Sequence, residues 1–394
     1  MLAPTPNLTA GRPGTDPART QSTGICMRYR DVGILEHDRG RATPGVTLIV
    51  RLRGKAAYLV GMDGDVLHEW HFPLVPGNNV YLMENGNLLW SGEPEDKGPY
   101  NGEKLSRFEG GEGPPLRGGR GGILREIDWD GNVLWEHVNW DQHHDSRRLA
   151  NGNTLYLGWE IMPDAAAKRV LGGQPGTEFN GLIYGDYLHE VTPDGEIAWE
   201  WHAHSDMELE RYPMCARCFR NEFAHANACF PMPNGDVMVS FRRLNMIAII
   251  DRETKRVRWE HRDDSWGHQH DCQLLDNGNI LLFANGIHGG ENPFSRVIEL
   301  DPESRETVWS YKGSPTYTFF SPHISGAQRL DSGNTLICEG QWGRVFEVTP
   351  EGDIVWEYIS PFFDPNPGGG QTNMMFRAYR YAVDSPQIRG RVSI

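Results

Sequence analysis

The stretch GHQHDCQLLDNGNILLF, residues 267–283, decides the fold. Its second half runs apolar residues into Asn277-Gly278 and away again, the pattern of two strands joined by a tight turn. Asn-Gly supplies the positive backbone angles that two-residue hairpin turns need. The same arm recurs as MENGNLL (83–89), LANGNTL (149–155), MPNGDVM (232–238) and LDSGNTL (330–336). Between these copies lies a second phrase, an apolar arm ending in Trp-Glu: GNVLWE (131–136), GEIAWE (195–200), KRVRWE (255–260) and GDIVWE (352–357). Weaker copies are GDVLHEW (64–70) and RETVWS (305–310). Apolar residues alternate in these arms, as in Ile197, Trp199 and Trp201, so the elements are strands. Self-similarity at this scale marks an array of small β units.

With strands named A to D from the centre outward, A and B meet at the Asn-Gly turn, and C and D at turns such as Asp194-Gly195. Complete units fall at about 78–138, 143–202, 225–261, 270–311 and 323–359. A sixth takes its B, C and D strands from Val46–Arg51, Ala57–Met62 and Asp65–His71, and the strand-like Met374–Tyr381 can supply its A strand. The reading is an all-β, six-bladed β-propeller of four-stranded antiparallel blades over residues 44–382, closed by pairing the N- and C-terminal strands. Such closure leaves no free sheet edge in the ring. Residues 1–43 read as an irregular tail or wrap and 383–394 as a C-terminal tail. Trp in the D strand reads as filler between neighbouring blades.

Composition excludes some functions. The 394 residues carry 38 Lys+Arg against 53 Asp+Glu, a net charge of −15, with no basic stripe for a phosphate backbone, so nucleic acid is not expected as a partner. No apolar run approaches the roughly eighteen residues of a membrane span, and residues 1–44 lack the apolar core of a secretory signal. A cytoplasmic protein with no membrane partner is expected; oligomeric state is left open. The six cysteines are spread too thinly for a disulfide framework. Cys215 and Cys218 form a C-x-x-C, but zinc asks for four ligands and there is no second such pair.

The long insertions, 92–121, 160–186, 204–224 and 285–294, all fall in B-to-C or D-to-A connections. In a four-stranded meander both connections emerge on one face, which marks that face as the place for a site. Seven residues before each A–B turn stand Asn78, His144, Asn227, His270 and Ser325; nine before it stand Pro76, Gln142, His225, His268 and His323. Strict alternation points both registers into the channel. Five of the fifteen histidines fall in these two registers. Polar residues lining a wet channel are the bland explanation; so many imidazoles together suit an anion, a metal or proton transfer. Arg242 and Arg377 could add fixed positive charge.

Three segments in order, HHD at 143–145, HANACFPMPNGDVMVSFR at 225–242 and GHQHDCQLLDNGNILLF at 267–283, make the chain resemble the arylsulfate sulfotransferases, as a short, cytoplasmic-type arylsulfotransferase-like member. The resemblance implies sulfuryl transfer from an aryl sulfate to a phenol through a sulfohistidine, without a cofactor. It casts His270 as nucleophile; His225, Asn227 and Arg242 as holders of the sulfuryl oxygens; and His144 as an aid there or in proton transfer. The acceptor phenol needs a base, and His268 or His323 is assigned that role in this reading. A second reading is a hydrolase or lyase in which three or four of His144, His225, His268, His270 and His323 supply ligands to a divalent transition metal. A third is a non-catalytic interaction scaffold. For either enzyme the substrate is a small anionic or phenolic molecule. No G-x-S-x-G elbow is present, and GGRGG (118–122) lacks the Lys and helix of a phosphate loop.

Overall fold

The arms pair as antiparallel hairpins in a computed structural model that describes residues 31–94, 118–290, 292–366 and 368–392. Blade 1 is Met375–Ala382, Gly45–Arg51, Ala56–Val60 and Val66–His71; blade 2 is Val75–Leu82, Leu88–Glu93, Ile123–Ile127 and Val133–Val138. Blade 3 is Gln142–Arg148, Thr154–Ile161, Tyr184–Val191 and Ile197–His202; blade 4 is Ala226–Pro231, Val237–Phe241, Met246–Ile250 and Val257–Arg262. Blade 5 is His270–Leu274, Ile280–Ala284, Arg296–Leu300 and Thr307–Lys312. Blade 6 is Gly326–Arg329, Thr335–Glu339, Arg344–Val348 and Ile354–Ile359. The innermost strands touch one another in cyclic order, and blade 1 takes that strand from the C-terminal side of the chain, as the unpaired Met374–Tyr381 segment required. Among the described residues no helix is long and apolar enough to cross a membrane.

The core sits between blades. One apolar cluster joins Leu155, Leu157 and Trp201 of blade 3 to Val237, Val239 and Phe241 of blade 4, and similar clusters fill the other gaps. The repeated Trp does more than fill space. The indole N–H of Trp135, Trp199, Trp259, Trp309 and Trp356 donates to the carbonyl of Pro193, Arg252, Pro302, Pro350 and Met62, each in the C–D turn of the next blade. In blade 1 the same register holds His68, whose Nε2 lies 3.0 Å from the Trp129 carbonyl. Six equivalent bonds thus run round the outside of the ring. A net hydrogen bond contributes about 1 kcal/mol, so Trp259→Phe is expected to lower the unfolding free energy by at least that much in a urea titration.

Two terminal segments differ from the reading as tails. Within 1–43, Gly33–His37 is a fifth strand of blade 6, paired antiparallel with Ile354–Ile359. An outermost strand exposes unpaired backbone groups, and this segment covers them. Residues 1–30 lie outside the described part. At the other end Ile388 is fully buried between blades 1 and 2, and Arg391 Nη2 donates to the Asn85 carbonyl at 2.8 Å.

Candidate functional site

The B-to-C and D-to-A connections surround a cavity of about 360 Å³ at one end of the channel. His144, His225, His270 and His323 all line it, with Asn78, Arg242 and the Phe376 ring. Most of the 92–121 insertion lies outside the described residues, but its end, Gly118-Gly119-Arg120, forms part of the wall. Gly119 has φ +91°, and a Cβ there would overlap the His144 imidazole, so this position accepts only glycine without displacing a cavity histidine. A larger cavity of about 870 Å³ lies among the tight turns of blades 3, 4 and 5. No histidine or cysteine lines it, and its Arg252 and Glu190 pair with each other, so the histidine cluster belongs to the smaller one.

Four expected residues are placed elsewhere. His268 turns away towards Cys218, with Nε2 3.3 Å from Sγ. Asn227 donates from Nδ2 to the Gln269 carbonyl at 2.8 Å and bridges blades 4 and 5. Ser325 is buried against Ser321 and the Gly340 N–H. Arg377 lies under the cavity, where its guanidinium meets Asp145 at 3.1 Å and Asp271 at 3.4 Å. For the first three the cause is common. The first residues of the A strands do not alternate: Asn78, His144, His225, His268, Asp271, Ile324 and Ser325 have φ between +50° and +100°. Register shifts break the A–B pairing at Ala226/Ala228 and His270/Gln273. Each bulge turns a side chain away from where period two would aim it.

The bulges also aim His144 and His225 at each other, with ring centroids 4.7 Å apart. His225 Nδ1 lies 2.7 Å from Glu222 Oε2, and the other Glu222 oxygen accepts from Trp159 Nε1 at 2.7 Å. A carboxylate can only accept, so His225 donates from Nδ1 and keeps its lone pair on Nε2. His270 is fixed by a different partner. Asn285 gives its Nδ2 hydrogens to the carbonyls of Ser321 and Ile324, so its Oδ1, 2.8 Å from His270 Nδ1, must be the acceptor. His270 therefore carries its proton on Nδ1, and its Nε2 lone pair looks towards the Ile324 N–H at 3.3 Å. Behind His144 stands His143, Nδ1 to Nδ1 at 2.8 Å, and His143 Nε2 is 3.3 Å from buried Asp186.

Burial, reinforced by neighbouring cations such as Arg242, pushes His225 and His270 well below the ordinary imidazole range; His144 moves the same way through burial and the adjacent His225. Arg242 is itself brought down to about 10 by burial and by Arg243. It carries no ion pair among the described residues, because Glu222 is taken by His225 and Arg243. Arg120 likewise has Nε and Nη2 buried without a hydrogen-bond partner. Neutral imidazoles thus face Arg242, which has no ion pair among the described residues.

Acid stability follows from the same burial. Burial holds His143 at about 3, and His137 and His323 at about 4, against about 6.5 in an unfolded chain. Below pH 6.5 the unfolded chain binds protons that the folded chain refuses, so stability is lost as pH falls towards those values. His143 alone contributes about 1.4 kcal/mol per pH unit. The urea midpoint is expected to drop steeply between pH 6.5 and 4.5 and to stay flat from 6.5 to 7.5; a flat acid limb would mean that these imidazoles are charged in the folded state.

Sequence reasoning missed Glu222, Asn285, Asp186 and Phe376. Glu222 was within reach, three residues before His225 in NEFAH; Asn285 comes from another strand's end and left no local signal.

Fold and site together define a propeller with a histidine-lined cavity at one channel mouth. The family model for arylsulfotransferases (ASST) matches residues 118–361, more than half the chain, and the protein belongs to that family. None of the curated proteins matches it. Among solved structures, a protein of unknown function from Bacteroides caccae superposes with TM-score 0.53 at 14% identity, covering 85% of this chain and 98% of that one. A weaker likeness is to virginiamycin B lyase from Staphylococcus aureus, TM-score 0.40 at 11% identity, over 72% of this chain and 69% of that one.

Proposed function

We propose that this protein transfers a sulfuryl group from an aryl sulfate to a phenol through a sulfohistidine at His270. The observation that carries the reading is the fixed tautomer of His270, neutral, with Nδ1–H held by Asn285 and its Nε2 lone pair in a cavity beside Arg242. In the donor step that lone pair forms a nitrogen–sulfur bond while the sulfur–oxygen bond to the aryl group breaks, and the electron pair leaves with the phenolate. The positive charge left on the imidazole is shared with Asn285 Oδ1. In the acceptor step a second phenol gives its proton to His225 Nε2, the phenolate oxygen attacks sulfur, and the nitrogen–sulfur pair returns to His270. Glu222 stabilises the imidazolium that forms on His225. Arg242 and Arg120 offer donors to the equatorial oxygens, where charge grows.

His225 takes the base role in this scheme in place of His268, which leaves the cavity, and of His323, which has no carboxylate behind it among the described residues. Among the described residues the donor groups that converge closely enough for a metal do not include His144, His225, His270 or His323. The test is single turnover: with a nitrophenyl sulfate and no acceptor, the protein should release one equivalent of nitrophenol and gain one SO3 on the peptide containing His270. Turnover without a burst and without that adduct would defeat the scheme.

A further inference from the structure

The C-x-x-C pair that found no partner in the sequence finds one in space. Cys215 and Cys218 lie on the Met214–Phe219 strand of the 204–224 insertion, His268 just before the A strand of blade 5, and His288 in the B-to-C loop of the same blade. We propose that Cys215, Cys218, His268 and His288 bind one zinc ion through both Sγ atoms, His268 Nε2 and His288 Nδ1. Their ligand atoms all lie within 4.8 Å of one another. Cys218 Sγ is 3.3 Å from His268 Nε2, and Cys215 Sγ is 3.4 Å from His288 Nδ1. A tetrahedral ion with Zn–S of about 2.3 Å and Zn–N of about 2.0–2.1 Å separates its ligands by about 3.3–3.8 Å, the spacing these pairs already have.

Three further observations point to an ion rather than a chance cluster. The donor set is two thiols and two imidazoles with no carboxylate, which suits zinc and excludes calcium or magnesium. Cys218 and His268 are 6% and 1% exposed. The backbones are braced before any ion arrives: Gly286 and Ile287 donate to the Trp266 and Gly267 carbonyls, lacing the His288 loop to the one before His268. On the other side Met214–Phe219 pairs with Gly172–Gln174, and Arg243 Nη1 donates to the Phe219 carbonyl at 2.7 Å.

Four protein ligands close the coordination sphere, so the ion is structural. It ties the 204–224 insertion, which carries Glu222 and leads into His225, to the start of the strand that carries His270. The His268 carbonyl is 3.2 Å from His270 Nδ1, so the site fixes the backbone that the cavity histidine leans on. The inference stands on these donors alone and does not depend on sulfuryl transfer.

The test uses the full chain without an affinity tag, purified without chelator, reconstituted with zinc under reducing conditions and freed of excess metal. Plasma mass spectrometry is expected to find one zinc per chain, lost in Cys215→Ser/Cys218→Ser and kept in His225→Ala. Because the double variant can lose its fold with its zinc, the wild type is also loaded with cobalt. A tetrahedral cobalt spectrum with thiolate charge transfer in the near ultraviolet is expected. No metal uptake, zinc retained in the double variant, or a weak octahedral cobalt spectrum would each overturn the site; so would a Cys215–Cys218 disulfide that persists under reducing conditions.

Discussion

Replacing His270 by Ala is expected to remove sulfuryl transfer, with kcat/KM for a nitrophenyl sulfate falling by at least about a thousandfold. The side chain is the sole attacking group in the scheme, and its loss should take the burst of nitrophenol with it. Folding should survive, because the imidazole is held by Asn285, the His268 carbonyl and one backbone N–H rather than by the blade cores. Glu222→Gln separates the two half-reactions. It leaves His225 without its carboxylate, so the acceptor step should slow by about a hundredfold or more while the donor burst keeps its rate. Equal slowing of both steps would show that Glu222 only shapes the loop. A His270→Ala protein with undiminished turnover would place the nucleophile elsewhere among the cavity histidines.

Arg377→Met is expected to cost 3–5 kcal/mol of stability, about the loss seen when one partner of a buried ion pair is removed. The guanidinium is 2% exposed and sits between two fully or nearly fully buried carboxylates, Asp145 and Asp271. Those carboxylates also accept from the backbone N–H groups of Cys229, Ser146 and Cys272, and from Asn79. The network therefore spans the innermost strands of blades 1 to 5 beneath the cavity. With the cation gone, Asp145 keeps only the ion pair with Arg147 at 3.2 Å and buried Asp271 loses its ion pair, so the urea midpoint should fall accordingly. Adding Asp145→Asn and Asp271→Asn should recover part of the loss. If the single variant loses less than about 1 kcal/mol, the carboxylates are being hydrated or protonated instead.

The zinc proposal touches the same architecture from the other side. Arg377 ties the strands together below the histidines, and the Cys215–His288 cluster ties the loops above them. The cavity is thus framed by two polar clusters, each drawing residues from segments far apart in the chain.

How much of this was legible depended on the range over which the information is encoded. The blades were readable because Asn-Gly turns and alternating apolar residues act within one hairpin, and each copy repeats the same local instruction. Closure by Met375–Ala382 was readable by elimination, since a propeller leaves no strand unpaired. His144, His225, His270, His323 and Arg242 were legible as a group because the turn sets the distance from hairpin tip to channel mouth. The failures at His268, Asn227 and Ser325 share one origin: period-two alternation assumes an unbroken strand, and the bulges at the channel mouth break it. Arg377 misled for another reason. Position alone could not show that the aspartates of two histidine–aspartate pairs would reach it first.

By itself, then, the sequence determined the number of blades, the order of strands, the closing partner and the end of the channel where the histidines gather. These follow from steric rules that act over a few residues. The tertiary structure alone decided which histidines share the cavity, which nitrogen of His225 and of His270 carries the proton, and that Cys215 and Cys218 meet His268 and His288. Those outcomes depend on where loops from different blades come to rest, and on competition for a few hydrogen-bond partners that are distant in sequence and adjacent only in the closed ring.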